Sequence, residues 1–135
     1  MSQSLPAVTD AEWAVLERLW DPGPASVREL RDALYPGGGP SEHATVHKLL
    51  ERLEAKDYVL RERAGGALTF RAIVARDDLI GRQLEELLEK RCGGSLQPLL
   101  SNLVRVKRVT AEELRKLAAL VEELQRKKRL KKDRR

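Results

Sequence analysis

Apolar residues recur at helical spacing in six stretches of this chain and alternate in two. Trp13, Leu16, Leu19 and Trp20 share one face of a first helix, which must end before Asp21-Pro22-Gly23-Pro24. Thr9-Asp10-Ala11-Glu12 ahead of it is a capping box, in which the threonine accepts from the N3 amide and the glutamate reaches back to the N-cap amide. Ser26-Val27-Arg28-Glu29 repeats the device and opens a second helix with Val27, Leu30 and Leu34 inward. Tyr35-Pro36-Gly37-Gly38-Gly39-Pro40 ends that helix. Ser41–Lys56 then forms a third, with Ser41 expected as N-cap and Val46, Leu49, Leu50 and Leu53 as its buried stripe. Residues 1–8 read as a short disordered leader.

Val59–Arg63 and Leu68–Ile73 read as strands, joined at a tip of Ala64-Gly65-Gly66-Ala67. Leu68, Phe70 and Ala72 fall on one face of the second strand. Three short helices followed by a hairpin is the winged-helix order, with the second and third helices as the helix-turn-helix. The third helix turns His43, Ala44, Thr45, His47, Lys48 and Arg52 away from its stripe, and these are the residues expected to face DNA. Arg61, Arg63 and Arg71 are placed to contact phosphates from the wing.

Beyond Arg76 the pattern changes to leucine-rich helices. Leu79, Ile80, Gln83, Leu84, Leu87 and Leu88 form one stripe, which stops at Cys92-Gly93-Gly94. Leu96, Leu99, Leu100 and Leu103 form the next, capped by Ser95. A third capping box, Thr110-Ala111-Glu112-Glu113, opens a helix with Leu114, Leu117, Val121 and Leu124 along a coiled-coil-like seam. About fifty residues without an aromatic make too small a core alone. Their stripes are expected to pack against the same helices of a second chain. A two-fold dimer would then present two recognition helices to one face of a palindromic site.

The expected fold class is therefore mainly α. A winged helix-turn-helix DNA-binding domain with a small β-hairpin wing spans 1–74, and a helical dimerisation domain spans 75–125. A basic tail over 126–135 is expected as disorder or frayed helix.

Charge refines this picture. The net charge is +5, but residues 126–135 (RKKRLKKDRR) alone carry +7, leaving the other 125 residues at −2. Residues 1–40 carry −3 and residues 41–73 only +1. Bulk charge therefore lends the recognition helix little support, and placement has to decide. Charged residues make up 35% of the chain and aromatics 4%, which suits a helical protein with much solvated surface. No apolar run approaches the ~18–20 residues of a membrane span, and Met-Ser-Gln-Ser-Leu-Pro lacks a signal-peptide pattern. One cysteine cannot form an internal disulfide, which agrees with a reducing cytoplasm, and the DNA-binding reading would place the protein on the nucleoid.

Several chemistries are disfavoured. His43 and His47 stand at i and i+4, but two histidines underligand a metal and no general-base glutamate lies between them. Cys92 follows two basic residues at a helix C-terminus, where the opposing influences on its thiol leave it inert. No nucleophile–base constellation, P-loop or dinucleotide fingerprint occurs, so neither an enzyme nor a bound cofactor is expected.

With these residues in view, the chain resembles the penicillinase-repressor family of bacterial transcription regulators. The resemblance runs from about Thr9 to Leu124. It rests on Thr9-Asp10-Ala11-Glu12-Trp13 with Leu19-Trp20, on Pro24-Ala25-Ser26-Val27-Arg28-Glu29, on Thr45-Val46 with Leu49-Leu50-Glu51-Arg52-Leu53, and on Gly93-Gly94-Ser95-Leu96. It implies a homodimer that represses by occupying an operator in double-stranded DNA. It also implies relief by cleavage in the dimerisation unit, set off indirectly by a membrane sensor-protease. The comparable bond would be Asn102–Leu103, with Leu103 in place of a phenylalanine. The copper-responsive branch has a cysteine-rich C-terminus, which this chain lacks. Two departures fall on the recognition helix. Ala44-Thr45-Val46 stands where Thr-Thr-Val is frequent, and Glu51 where Asn or Thr is. Glu42 and Glu51 place negative charge there, which costs affinity unless they cap, pair or accept from cytosine. The rival expectations are a helical module that binds an acidic partner through its leucine stripes and basic tail, and a DNA architectural protein of low specificity.

Overall fold

The computed structural model describes residues 5–106 and 109–133. Its elements run α1 (Asp10–Trp20), α2 (Val27–Leu34), α3 (Pro40–Ala55), β1 (Val59–Ala64), β2 (Ala67–Ala72), α4 (Arg76–Arg91), α5 (Leu96–Val106) and α6 (Ala111–Asp133). Two compact units divide at Leu87–Leu88, inside α4.

In the first unit α1, α2 and α3 pack on one another. Val15, Leu16, Leu19, Leu30, Val46, Leu49, Leu50 and Leu53 are buried between them, with Tyr58, Val59 and Phe70 from the hairpin and Leu79 from α4. The expected stripes are thus the core. β1 and β2 pair antiparallel in the register Val59↔Ala72, Arg61↔Phe70, Arg63↔Leu68. Gly65 and Gly66 turn the hairpin with φ of 59° and 83°. A two-residue turn of this hand needs positive φ at both positions, which glycine adopts without strain. Ala25 extends the sheet by one bridge, exchanging backbone hydrogen bonds of 3.1 and 2.8 Å with Phe70. That bridge ties the entry to α2 to the wing.

Trp13 and Trp20 are half-buried and meet edge to face at 5.3 Å. Trp20 also donates its indole N–H to the Val74 carbonyl at 2.8 Å, fixing the chain between β2 and α4.

All three expected capping boxes form, at Thr9/Glu12, Ser26/Glu29 and Thr110/Glu113. The start of α3 differs from expectation. Its N-cap is Gly39, not Ser41, with Pro40 in the first turn and Glu42 accepting from the Gly39 amide at 2.8 Å. Proline at N1 needs no amide partner and already has helical φ, so it outcompetes serine for setting the start. Gly38 is crowded: a Cβ there would lie 2.8 Å from the Tyr35 carbonyl oxygen. At its other end α3 closes in a Schellman motif. Tyr58 N–H bonds Leu53 O and Asp57 N–H bonds Glu54 O, both at 3.0 Å, with Asp57 left-handed at φ 61°.

The leader differs as well. Residues 1–4 lie outside the described residues, but Leu5 and Val8 pack on the core. The Tyr58 hydroxyl donates to Pro6 O, and Arg82 donates to Leu5 O. Lys56 Nζ donates to Ala7 O at 2.8 Å and to both Glu12 carboxylate oxygens at 2.8 Å. Glu12 is fully buried. One carboxylate therefore caps α1 through the Thr9 amide (2.7 Å) and receives the lysine at the C-terminus of α3.

In the second unit α5 and α6 contain no buried residue. Of the segment 126–135, expected as disorder or frayed helix, residues 126–133 continue α6 to Asp133, and 134–135 lie outside the described residues.

The buried pair generates a prediction with a definite sign. Burial pushes the Glu12 carboxyl up, but the Lys56 ammonium and the Thr9 amide outweigh it and hold the group below its ordinary range. Its contribution to stability is thus full above that range and lost as the pH falls through the depressed folded value. Removing one partner of a buried pair costs about 3–5 kcal/mol, and Lys56 is a quarter exposed, so Lys56→Met should cost about 2–3 kcal/mol at pH 7 in urea denaturation. In that variant Glu12 loses the ammonium that holds its carboxyl down, so less stability is lost on acidification and the gap to wild type should narrow. A gap that widens on acidification would contradict the assignment.

Candidate nucleic-acid interface

The buried stripe of α3 dictates what the helix shows to solvent. Ser41, Thr45, Lys48 and Arg52 follow one another at i, i+4, i+7 and i+11 and form one exposed row. Ala44, Lys48, Glu51 and Ala55 form the row beside it, also exposed. Lys48 belongs to both and stands at the centre of the face. His47 is exposed at its margin, whereas His43 is half-buried on the flank nearer the core. Of the six α3 residues expected to face DNA, five are therefore brought to open surface and His43 lies at the edge.

Ser41 belongs to this face but was expected as a cap. The Gly39-Pro40 pair is the sequence signal that frees it, because it moves the start of the helix two residues upstream. The Thr45 hydroxyl donates to the Ser41 carbonyl at 3.1 Å, which turns its oxygen back against the helix backbone and fixes the rotamer.

The two acids on α3 have separate fates. Glu42 is used as a cap, and the Gly39 amide holds its carboxyl below the usual range. Glu51 Oε1 lies 3.9 Å from His47 Nδ1, an ion pair only when the imidazole is protonated. Glu51 therefore leaves negative charge on the exposed face.

The three wing arginines divide between the two faces of the hairpin. Arg61 and Arg63 stand opposite Phe70 and Leu68 on the core-facing side, while Arg71 stands opposite Leu60 on the other. Arg61 grips Glu54 of α3 through two bonds of 2.8 Å, and its guanidinium lies 5.5 Å from the Phe70 ring centroid. That guanidinium holds the Glu54 carboxyl below its ordinary range. Arg71 bonds Glu62 at 3.2 and 3.5 Å. Among the described residues Lys48, Arg52 and Arg63 enter no ion pair. Two unpaired cations on α3 and one on the wing are thus free to meet phosphate without first breaking a bond. Among the described residues no cluster of three or more metal-ligating side chains occurs.

The Penicillinase repressor family model matches residues 8–123. The transcriptional regulator BlaI of Mycobacterium tuberculosis is 32% identical over 118 residues, covering 86% of this chain and 83% of that protein. An uncharacterised 16.5 kDa protein of Latilactobacillus sakei is 26% identical over 104 residues, covering 77% of this chain and 70% of its own length. Among solved structures, a MarR family protein from Bacillus stearothermophilus is similar at a TM-score of 0.46 and 23% identity, covering 89% of this chain and 74% of that one.

The Arg61–Glu54 clamp yields its own test. The pair is partly exposed, so Glu54→Gln should cost no more than about 1 kcal/mol of stability. It also releases Arg61. Duplex affinity should rise, with the slope of log affinity against log salt steeper by about 0.9 if one more phosphate is met. Weaker duplex binding at unchanged stability would instead make the clamp a support of the wing.

Proposed function

The chain belongs to the penicillinase-repressor family, and on that premise we propose that it acts as a homodimeric transcriptional repressor occupying a palindromic promoter operator. The observation that carries this reading is the row Ser41, Thr45, Lys48, Arg52. It stands exposed on a helix whose opposite side is fixed by four buried residues, so bases are met by side chains that need not rearrange. Thr45 and Lys48 are assigned to base edges, Ala44 to apolar contact, His43 and His47 to the margins, and Arg52 to phosphate. Arg63 is the wing contact, with Arg61 and Arg71 available once their carboxylates are displaced. Ala44 and Glu51 mark where the operator sequence differs from that of relatives.

Homodimerisation is supported by unsatisfied apolar surface. Leu84, Leu87, Leu96, Leu100, Leu103, Leu114, Leu117, Val121 and Leu124 are exposed by 38–62%, and Leu88 and Leu99 are half-buried. Burying a leucine fully is worth about 1.5–3 kcal/mol, so a second copy covering these faces offers a large drive. Relief by proteolysis would act at Asn102–Leu103, inside α5. Asn102 donates to Pro98 O at 2.8 Å and accepts from Arg105 at 2.7 Å, so the bond must leave its helix to enter a protease as an extended strand. Within one chain that unwinding disturbs no buried residue. A membrane sensor-protease would enter only as the trigger. No described helix is long and apolar enough to cross a membrane itself, and the reading places the repressor in the cytoplasm on the nucleoid.

Genome-wide footprinting tests the whole reading: discrete palindromic footprints are expected, and diffuse occupancy would overturn it. On an operator so found, the His47→Ala, Lys48→Ala double variant should bind about 1–3 kcal/mol more weakly at physiological salt with unchanged thermal unfolding. Leu117→Glu with Val121→Glu should shift sedimentation from dimer to monomer and abolish footprinting together. Full operator affinity from a monomer would remove the dimer from the proposal.

A further inference from the structure

The DNA-facing unit is poorly supplied with free positive charge. Its recognition face holds two unpaired cations and an exposed glutamate, two of its three wing arginines are paired, and the chain outside the last ten residues carries −2. Duplex DNA presents one negative charge per ≈1.7 Å, and its neutralisation supplies nearly all sequence-independent affinity. α6 holds what the first unit lacks. Its helix continues through Arg126, Lys127, Lys128, Arg129, Lys131 and Lys132. The seven residues from Arg126 to Lys132 span about 10 Å of helix, so these six cations stand about 2 Å apart along the axis, close to the spacing of charge on a duplex.

Pairing within the helix does not cancel them. Lys127 lies 3.6 Å from Glu123, and the other five enter no ion pair among the described residues. Lys127/Lys131 and Lys128/Lys132 are like-charged i, i+4 pairs, each of which disfavours the helix in the absence of a counter-charge. Because the six are spread around the whole circumference rather than on one stripe, they suit a polyanion that surrounds the helix with phosphates better than a flat acidic face on a folded protein.

We propose that the end of α6, from Arg126 to Lys132, is a second, sequence-independent binding site for the phosphate backbone of double-stranded DNA. It supplies general affinity while α3 supplies choice of sequence. It rests on the reading of the chain as a DNA-binding regulator only for the identity of the polyanion.

The test uses the full chain and a random-sequence duplex, titrated across a salt series. A variant with all six cations changed to Gln keeps comparable helix propensity. A second, with Lys128, Arg129, Lys131 and Lys132 changed to Glu, keeps a net charge that favours solubility. Both should bind the random duplex at least about tenfold more weakly, with a salt slope shallower by about 3–5 for three to five lost phosphate contacts. Lys48→Ala with Arg52→Ala should leave most of that slope in place. In wild type alone, duplex should raise helical circular dichroism as it relieves the like-charge pairs. An unchanged slope in both tail variants overturns the site, as does equal displacement by polyglutamate of matched charge, which would make the partner an acidic polypeptide. Tail-dependent random binding without any discrete operator would sink the repressor reading and leave this site standing. Operator binding with tail-independent slopes would do the reverse.

Discussion

The carboxylate of Glu12 is the constraint on which the recognition unit depends. It is fully buried, yet its two oxygens are satisfied by groups from both sides of the fold: the Thr9 amide at the start of α1 and the Lys56 ammonium at the end of α3. Leaving any of these groups unmatched in the interior would be costly, so the three positions are fixed together. Lys56 also holds the Ala7 carbonyl, which brings the N-terminal segment over the same junction. With its C-terminal end tied here and its middle held by Val46, Leu49, Leu50 and Leu53, α3 has no freedom to roll. The exposed row from Ser41 to Arg52 is a consequence of that fixation rather than a separate feature.

The same end of α3 couples the helix to the wing. Asp57 accepts a left-handed conformation so that Tyr58 can bond back to Leu53 and bury its ring, and β1 begins at the next residue. Within that motif, Glu54 takes Arg61 in a bidentate grip. Helix and hairpin are thus joined by backbone, core and ion pair within a few residues. The cost is electrostatic, because the arginine best anchored to the recognition helix is the one least free to meet phosphate. Arg63, nearer the hairpin tip, is left unpaired and carries the wing's accessible charge.

What could be read from the sequence was what depends on neighbours along the chain. Capping boxes need residues three apart, amphipathic stripes need residues three and four apart, and the Gly65-Gly66 turn needs only itself; all of these appear in the structure. What escaped was set by partners far away in sequence. Lys56 reads as one more polar residue ending a helix until Glu12, 44 positions earlier, is placed beside it. Leu5 to Val8 read as a leader because their anchors, Tyr58, Lys56 and Arg82, lie 49 to 77 residues on. The ion pairs of Arg61 with Glu54 and of Arg71 with Glu62 escaped in the same way, since each acid lies seven to nine residues earlier on another element. The start of α3 is a different kind of miss: Ser41 is a good cap, and the local signal of Pro40 after Gly39 is a better one.

The two units differ in what each lacks. The first has a complete core and satisfied polar groups but little free positive charge, which on the proposed reading suits it to discrimination between sequences more than to strength of binding. α5 and α6 have charge in excess at one end and apolar surface with nothing buried along the rest. Neither property stabilises an isolated chain, since exposed leucines gain nothing from water and neighbouring lysines repel. On the readings proposed above, both would become favourable with something else present: a second copy for the leucines, a polyanion for the lysines. If α5 and α6 are ordered chiefly through such partners, any event that removes one weakens the other. Loss of the dimer would then halve the number of basic helices on the DNA as well as separate the two recognition helices. A single break in this unit would therefore act on affinity and on symmetry together, which is a sharper switch than either effect alone could give.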